Sequence, residues 1–300
     1  MRFRVLPAAR IMLPAVMATT LAAGTLVSTA PTPQSPQTPT GPVRQVRVAS
    51  SVLEAAAARG AVGRRGLDSP AKKDLALRLV TSAENSSLNY RSQYGYIEDI
   101  GDGRGYTGGI IGFCSGTSDM LEVVRRYTAI APGNPLARFL PWLRRVNGTD
   151  KHTGLGTAFV KAWRAAAKDV RFQRAQNVVR DRDYFNPAVL QAKRDGLRAL
   201  GQFVYYDAIV MHGPGTDPAS FGGIRRAALA KARTPAKGGS EVAYLHAFLD
   251  ARTTAMRREA AHSDVSRIST AQRVFLRAGN LDLNPSLTWK VYGDTFRITR

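Results

Sequence analysis

The sequence is poor in cysteine, histidine and acidic residues: its 300 residues include one cysteine, four histidines and 22 acids against 43 basic residues. One cysteine excludes an internal disulfide and a multi-cysteine metal cage, so Cys114 is expected to be a small buried apolar side chain. Neither His152 nor His246 has a second ligand at metal-binding spacing, and no G-x-S-x-G motif for a serine nucleophile occurs. We therefore expect neither a metal nor another cofactor.

The shortage of acids leaves a formal charge of +21 at pH 7. Such a charge attracts polyanions and repels polycations at long range. It indicates which partners are favoured electrostatically but does not indicate a reaction. A non-catalytic basic binding protein therefore stays open as an interpretation, although we expect no specific nucleic-acid partner.

An apolar run of the length of a targeting segment lies at the N-terminus. Three arginines among the first ten residues precede the apolar stretch from Ile11 to Val27, and a cleavage site could follow at Ala30. This arrangement is typical of a secretory signal peptide. The alternative, a single membrane anchor, is disfavoured because proline, glycine and threonine interrupt the stretch. We predict that residues 1–30 are a signal peptide and that the mature protein is secreted, monomeric and without a membrane span.

The next segment, residues 31–62, begins with PTPQSPQTPTGPV, which has no apolar periodicity. A proline- and threonine-rich stretch of this kind predicts an extended, unpacked linker. Residues 63–300 are left as one folded domain.

The folded domain is predicted to be mostly helical. Apolar residues at helical spacing predict a helix from Pro70 to about residue 84 and another from Asp119 to about 130. Two β-like runs, 94–100 and 106–113, flank a glycine-dense turn and predict a hairpin. The later segments with a helical pattern are 157–176, 187–211, 221–233, 240–260 and 269–278. We expect Trp142, Trp163 and Trp289 in the core.

Asp207 lies within the apolar run ALGQFVYYDAIVM, which predicts a central buried helix. A buried carboxylate costs several kcal/mol unless it is paired. We therefore expect a cationic partner, arginine above all. A structural ion pair is the favoured interpretation, and a catalytic role is the alternative.

The second signal is a local inversion of charge, since residues 82–123 contain six acids and two bases. This indicates an acidic cleft for a cationic or hydroxyl-rich ligand, or simply a solvated face. Glu84 is expected at a helix end in a half-apolar setting that favours the protonated acid, and Asp102 between glycines in a wetted one. Two carboxyls in unlike environments can cleave a glycosidic bond, and the Thr107 hydroxyl could hold a water. A capping glutamate and a turn aspartate are the plainer alternative.

Four stretches resemble a known family: residues 82–124 with the motif EDIGDGRGYTGG, residues 199–215, FGGIRR at 221–226, and residues 272–294. They closely resemble the bacterial chitosanases of glycoside hydrolase family 46, and the likeness covers residues 63–300. The resemblance implies a lysozyme-like fold of two mostly helical lobes with a small sheet and a substrate cleft between them. It also implies a catalytic domain that hydrolyses internal β-1,4 bonds of chitosan, a glucosamine polymer, with inversion.

The resemblance assigns roles to particular residues. Glu84 falls on the general acid, Asp102 on the general base and Thr107 on the residue that places the attacking water. Inversion requires the two carboxyls to be about 6.5–9.5 Å apart. A supporting ion-pair network falls on Asp207, Arg252 and Arg267. The substrate-binding positions fall on Asn85, Ser86, Tyr96, Arg104, Asp119, Tyr184, His212 and Glu259.

One departure from the family is Tyr90, which stands where a tryptophan is expected, so the aromatic contact is kept but is smaller and carries a hydroxyl. A hydrolase of another amino-sugar polymer is the second interpretation of the same residues.

Overall fold

The computed structural model describes residues 66–258 and 264–299. The expected signal peptide and linker, residues 1–62, lie outside the described residues, as does Glu259. None of the described helices is long and apolar enough to cross a membrane.

The helices follow the apolar patterns of the sequence. Pro70 occupies the first turn of the first helix, where its missing N–H costs nothing, and Ser86 in a left-handed conformation ends that helix. The described helices are α1 (Pro70–Asn85), α2 (Asp119–Ile130), α3 (Leu140–Val146), α4 (Gly156–Ala166), α5 (Val170–Arg180), α6 (Asn186–Arg194), α7 (Ala199–His212), α8 (Phe221–Leu229), α9 (Glu241–Arg257) and α10 (Arg273–Arg277).

Two segments that we predicted as helical, 157–176 and 187–211, each contain two helices. In the first, the carboxylate of Asp169 accepts a hydrogen bond from the Arg171 backbone N–H and starts α5 after a turn. In the second, Gly196 adopts a φ of 77° and ends the α6 segment. A π-helical segment, Asp181–Phe185, joins α5 to α6. The apolar periodicity predicted the helical residues correctly, but local capping residues divide each of the two segments into two helices.

The predicted hairpin is present as part of a three-stranded antiparallel sheet. Its strands, in order, are β1 (Ile97–Asp99), β2 (Tyr106–Gly108) and β3 (Phe113–Cys114). The first strand is shorter than predicted because Tyr90–Gly95 forms a 3-10 turn. The second predicted run is interrupted by a turn at 109–112, between β2 and β3.

A second hairpin, which we did not predict, lies near the C-terminus. Strands β4 (Leu287–Val291) and β5 (Asp294–Ile298) pair antiparallel. They are joined by Tyr292 and Gly293, which both have positive φ, the geometry of a two-residue type I′ turn. Side chains in β4 alternate between buried and exposed. The alternation of LTWKV before Tyr-Gly is the signal that could have revealed the hairpin.

The helices pack in two groups, as expected for two lobes. Helix α7 is buried along its whole length and contacts α1, α6, α8 and α9. In the other group α2 packs against α3, α5 and β3, and α4 against β1. Trp163 and Trp289 are in the core as predicted, but Trp142 is 39% exposed and that prediction was wrong. Its ring lies over Gly154. A Cβ atom added at that glycine would be 2.0 Å from Cδ2 of the Trp142 ring.

The C-terminal hairpin is fixed to α1 by a buried hydrogen bond. Trp289 Nε1 donates to Ser82 Oγ at 3.0 Å, and Ser82 Oγ donates to the carbonyl of Leu79 at 2.7 Å. Ser82 therefore links strand β4 to the last turns of α1, two residues before Glu84.

We predict that Ser82→Ala lowers the free energy of unfolding by about 1–3 kcal/mol, because the indole N–H of Trp289 loses its acceptor inside the core. Urea denaturation measures the loss. The matched control is Ser92→Ala, whose hydroxyl is exposed and whose removal should change the stability by less than about 0.5 kcal/mol. Equal stability of the two variants would contradict the prediction.

Candidate active site

Glu84 lies in the last turn of α1, directly before the helix ends. Its side chain is 7% exposed, and Oε1 accepts a hydrogen bond from Arg267 Nη2 at 3.0 Å. The neighbouring Asn85 has a buried Oδ1 that makes no hydrogen bond within the described residues, and Ser86 is exposed. The helix end therefore presents one fixed carboxylate beside two polar side chains.

Asp207 has the arginine partners that its burial predicted. Arg252 Nη1 donates to Oδ2 at 2.6 Å and Arg267 Nη2 donates to Oδ1 at 2.7 Å. Gln272 Nε2 also donates to Oδ2, at 2.6 Å. Burial raises the pKa of Asp207, but the two guanidinium groups outweigh it and hold the pKa at about 2. The carboxylate is therefore ionised and fully engaged.

Arg267 joins this buried carboxylate to Glu84. The same nitrogen, Nη2, contacts both acids, and the Arg267 side chain is itself buried. Burial acts to lower the pKa of Arg267, but Asp207 and Glu84 together raise it above its ordinary value. A permanently charged guanidinium therefore orients Glu84 from the protein side.

His212, at the end of α7, is placed against the same network and is buried. Arg252 Nε donates to His212 Nε2 at 3.2 Å. Burial lowers the pKa of Arg252 despite the attraction of Asp207.

Asp102 lies in the loop between β1 and β2 and is covered by Arg104. Nη2 and Nε of Arg104 donate to Asp102 Oδ2 at 2.6 and 3.1 Å, and the Arg104 backbone N–H donates to Oδ1 at 3.1 Å. The Asp102 side chain is only 2% exposed, so the expectation of a wetted carboxylate was wrong. The loop folds back on itself because Gly101 and Gly103 adopt positive φ, which brings the guanidinium over the acid.

Thr107, Asp119 and Tyr184 are joined through Cys114. The buried Thr107 Oγ1 lies 3.4 Å from Cys114 Sγ on the paired strand. The Cys114 backbone N–H donates to Asp119 Oδ1 at 2.9 Å, and the Tyr184 hydroxyl donates to Oδ2 at 2.6 Å. Cys114 is buried as predicted, but it also makes polar contacts, which the sequence analysis did not foresee.

The other predicted positions are less closely connected to these networks. The Tyr96 hydroxyl donates to the carboxylate of Glu98. Tyr90, where the family resemblance predicts tryptophan, is buried and its hydroxyl donates to Asp74. Its ring is covered by the Arg91 guanidinium.

The structure thus brings the predicted residues into three connected sets. Glu84, Asp207, Arg252, Arg267 and His212 form a buried ionic network. Asp102 pairs with Arg104 in the β1–β2 loop, while Thr107, Asp119 and Tyr184 meet at β3.

The sequence analysis missed two members of these sets, Gln272 and Cys114. Gln272 lies five residues after Arg267 in a π-helical segment, Arg267–Gln272, and no pattern with a 3.6-residue period would align the two. Within 66–258 and 264–299, no group of three or more histidine, cysteine or acidic residues could hold a metal ion.

We predict that Asp207→Asn lowers the free energy of unfolding by about 3–5 kcal/mol, because two buried guanidinium groups lose a charged partner. Ionised Asp207, with its pKa depressed to about 2, stabilises the fold above about pH 4, and this contribution is lost as the pH falls through 2. The variant should therefore lose less stability than the parent protein between pH 4 and 2.

Denaturation at several pH values measures both effects. The control is Asp250→Asn, which removes an ion pair with Arg273 from a side chain that is 59% exposed and should cost less than about 1 kcal/mol. An acid-induced loss of the same size in Asp207→Asn and the parent would contradict the assignment.

Comparisons with known proteins identify the family of this chain. The family model described as Glycosyl hydrolase family 46 matches residues 78–287. A chitosanase from Streptomyces sp. (strain N174) is 70% identical over 233 residues, which cover 78% of this chain and 84% of the relative. A chitosanase from Nocardioides sp. (strain N106) is 63% identical over 257 residues, covering 85% of this chain and 92% of the relative.

Among solved structures, the co-crystal structure of chitosanase OU01 with substrate superposes with a TM-score of 0.77 at 58% identity. The match covers 78% of this chain and 99% of that chain. These similarities confirm the mainly helical, lysozyme-like fold. The protein is a glycoside hydrolase, and it belongs to glycosyl hydrolase family 46.

Proposed function

We propose that this protein is an endo-acting chitosanase that cleaves internal β-1,4 glucosaminidic bonds of chitosan with inversion, through a catalytic domain of residues 63–300. Relatives named as chitosanases support the substrate. The observation that carries the proposed mechanism is the shared guanidinium of Arg267, which connects Glu84 to a buried ion pair.

In this proposal Glu84 is the general acid that protonates the leaving oxygen. A proton on Glu84 removes one negative partner from Arg267, but Arg267 keeps its contact with Asp207 at 2.7 Å. The cation is therefore never left alone in the core, which would be costly. This pairing lets Glu84 gain and lose a proton while its carboxyl stays in one orientation.

Asp102 is the proposed general base. Its Oδ1 accepts one hydrogen bond from the Arg104 backbone, so a second lone pair can accept a proton from water. The Arg104 side chain covers the carboxylate. We therefore expect the sugar to draw the guanidinium aside as it binds, which opens Asp102 to a water held with Thr107.

In this proposal, recognition of a glucosamine polymer rests on further acidic and polar side chains. Asp119 is fixed by Thr117, Met120 and Tyr184, and an oriented carboxylate of this kind is suited to an ammonium group. Asn85, Ser86 and Tyr96 stand near the two proposed catalytic groups in sequence and supply hydrogen-bonding groups for sugar hydroxyls.

We predict that Glu84→Gln and Asp102→Asn each lower kcat on chitosan by about 10²–10⁴-fold, the usual contribution of a general acid or base. A reducing-end assay on defined glucosamine oligomers measures the rate, and NMR of the fresh anomer reports inversion. Asp102→Asn should still bind the oligomers.

The matched control is Glu122→Gln, which changes an acid that pairs with arginines at the surface and should leave kcat within about twofold. Full activity of Glu84→Gln would remove the assignment of the acid, and retention at the anomeric carbon would exclude the inverting mechanism. Faster release of products from peptidoglycan than from chitosan would favour the other substrate class.

We also propose that the protein is secreted after loss of residues 1–30, on the strength of the N-terminal arginines and the apolar run that follows them. We propose separately that the secreted protein is a monomer. N-terminal sequencing and sedimentation of the protein recovered from the culture medium test both points. A protein that stays in the membrane fraction with its N-terminus intact would contradict export with cleavage.

A further inference from the structure

Atoms of Gly112, Cys114 and Thr107 form a short hydrogen-bonded chain that ends at Thr107. Cys114 Sγ donates to the carbonyl oxygen of Gly112 at 3.4 Å, and Thr107 Oγ1 lies 3.4 Å from the same sulfur. Thr107 and Cys114 are both buried and face each other across β2 and β3.

The direction of these hydrogen bonds follows from the contact between Cys114 and the carbonyl oxygen of Gly112. A carbonyl oxygen only accepts hydrogen bonds, and a thiol has a single proton. Because that proton is directed to Gly112, the sulfur can interact with Thr107 only as an acceptor. The Thr107 hydroxyl proton therefore points at Cys114, and Thr107 offers only lone pairs to any other neighbour.

We infer that Cys114 is a positioning residue that sets Thr107 as a hydrogen-bond acceptor toward the attacking water. This inference rests on the proposed function. A water that donates one proton to Thr107 and the other to Asp102 has both protons engaged, so a lone pair is left to face the anomeric carbon. Without the sulfur, Thr107 could donate to the water and turn that lone pair away.

The reaction is balanced with the water in this orientation. The bond from the water oxygen to the anomeric carbon forms as the bond from that carbon to the leaving oxygen breaks. Asp102 takes the proton of the water, and Glu84 gives its proton to the leaving oxygen. Thr107 and Cys114 exchange no proton with the substrate and act only by fixing a direction.

The backbone of Cys114 makes a hydrogen bond that does not depend on its side chain. The role of the side chain can therefore be tested by substitution. Its N–H donates to Asp119, and that bond survives any substitution that keeps the strand. Changes of the side chain at position 114 therefore alter the contact with Thr107 while the backbone bond to Asp119 remains.

The first experiment compares Cys114→Ser, Cys114→Ala and Cys114→Val in the full chain. Serine can donate to Gly112 and accept from Thr107, so we expect its kcat within about twofold of the parent. Alanine and valine remove the acceptor, and we expect kcat to fall about threefold to tenfold with KM within twofold, the size of one neutral hydrogen bond. Valine fills the space of the thiol and decides the outcome if alanine does not fold.

A double-mutant cycle separates positioning from general packing. Thr107→Val removes the hydroxyl that Cys114 is inferred to orient, so adding Cys114→Ala to it should lower kcat by less than twofold more. A control, Val124→Ala, trims another buried side chain and should lower the melting temperature without changing kcat.

Different results would contradict the role of Cys114 and the proposed function. Parent-like kcat in Cys114→Val, an equal loss in serine and valine, or multiplying effects in the cycle would overturn the role of Cys114 alone. Full activity of Glu84→Gln or Asp102→Asn would instead overturn the proposed function on which it rests.

Discussion

The buried pairing of Asp207 with two arginines is the interaction on which the rest of the structure depends. It joins α7, α9 and the π-helical segment 267–272, and through Arg267 it reaches the end of α1. Removing such charges from water costs several kcal/mol per ion, and only complete pairing offsets that cost. Segments distant in sequence must therefore come together correctly, and Glu84 acquires its orientation as a result.

The two halves of the proposed active site are built by different kinds of contact. Glu84 is held by Arg267, which lies 183 residues away along the chain and belongs to a buried ionic network. Asp102 is held by its neighbour Arg104, in a glycine-rich loop between paired strands. The acid is thus backed by the core, whereas the base is covered by a side chain of its own loop. The Arg104 side chain can move away from Asp102 without disturbing the core, whereas Arg267 cannot leave Glu84 without disturbing it.

Burial arguments predicted correctly that Asp207 has arginine partners, but which arginines they are came only from the family resemblance. The amphipathic segments located the helices and missed the breaks at Asp169 and Gly196, because capping acts locally and does not alter the apolar period. The prediction that Asp102 is exposed to water was wrong. Arg104 covers the carboxylate because the glycines of the loop adopt positive φ, and the sequence pattern does not show those dihedral angles. No sequence pattern pointed to Gln272. It shares the network with Arg267 because the segment is π-helical, and a search for a 3.6-residue period does not detect that spacing.

The charge of +21 conflicts with a polycationic substrate only if charge is counted over the whole chain. At physiological salt, surface charges are screened beyond about 8 Å. The approaching polymer is repelled weakly by distant arginines, and it then meets the carboxylates near it. We propose that Asp119 acts at that range, with its orientation already fixed by Tyr184 and the Cys114 backbone. In the proposed function, recognition therefore depends on the placement of a few acids, while the basic excess elsewhere is screened.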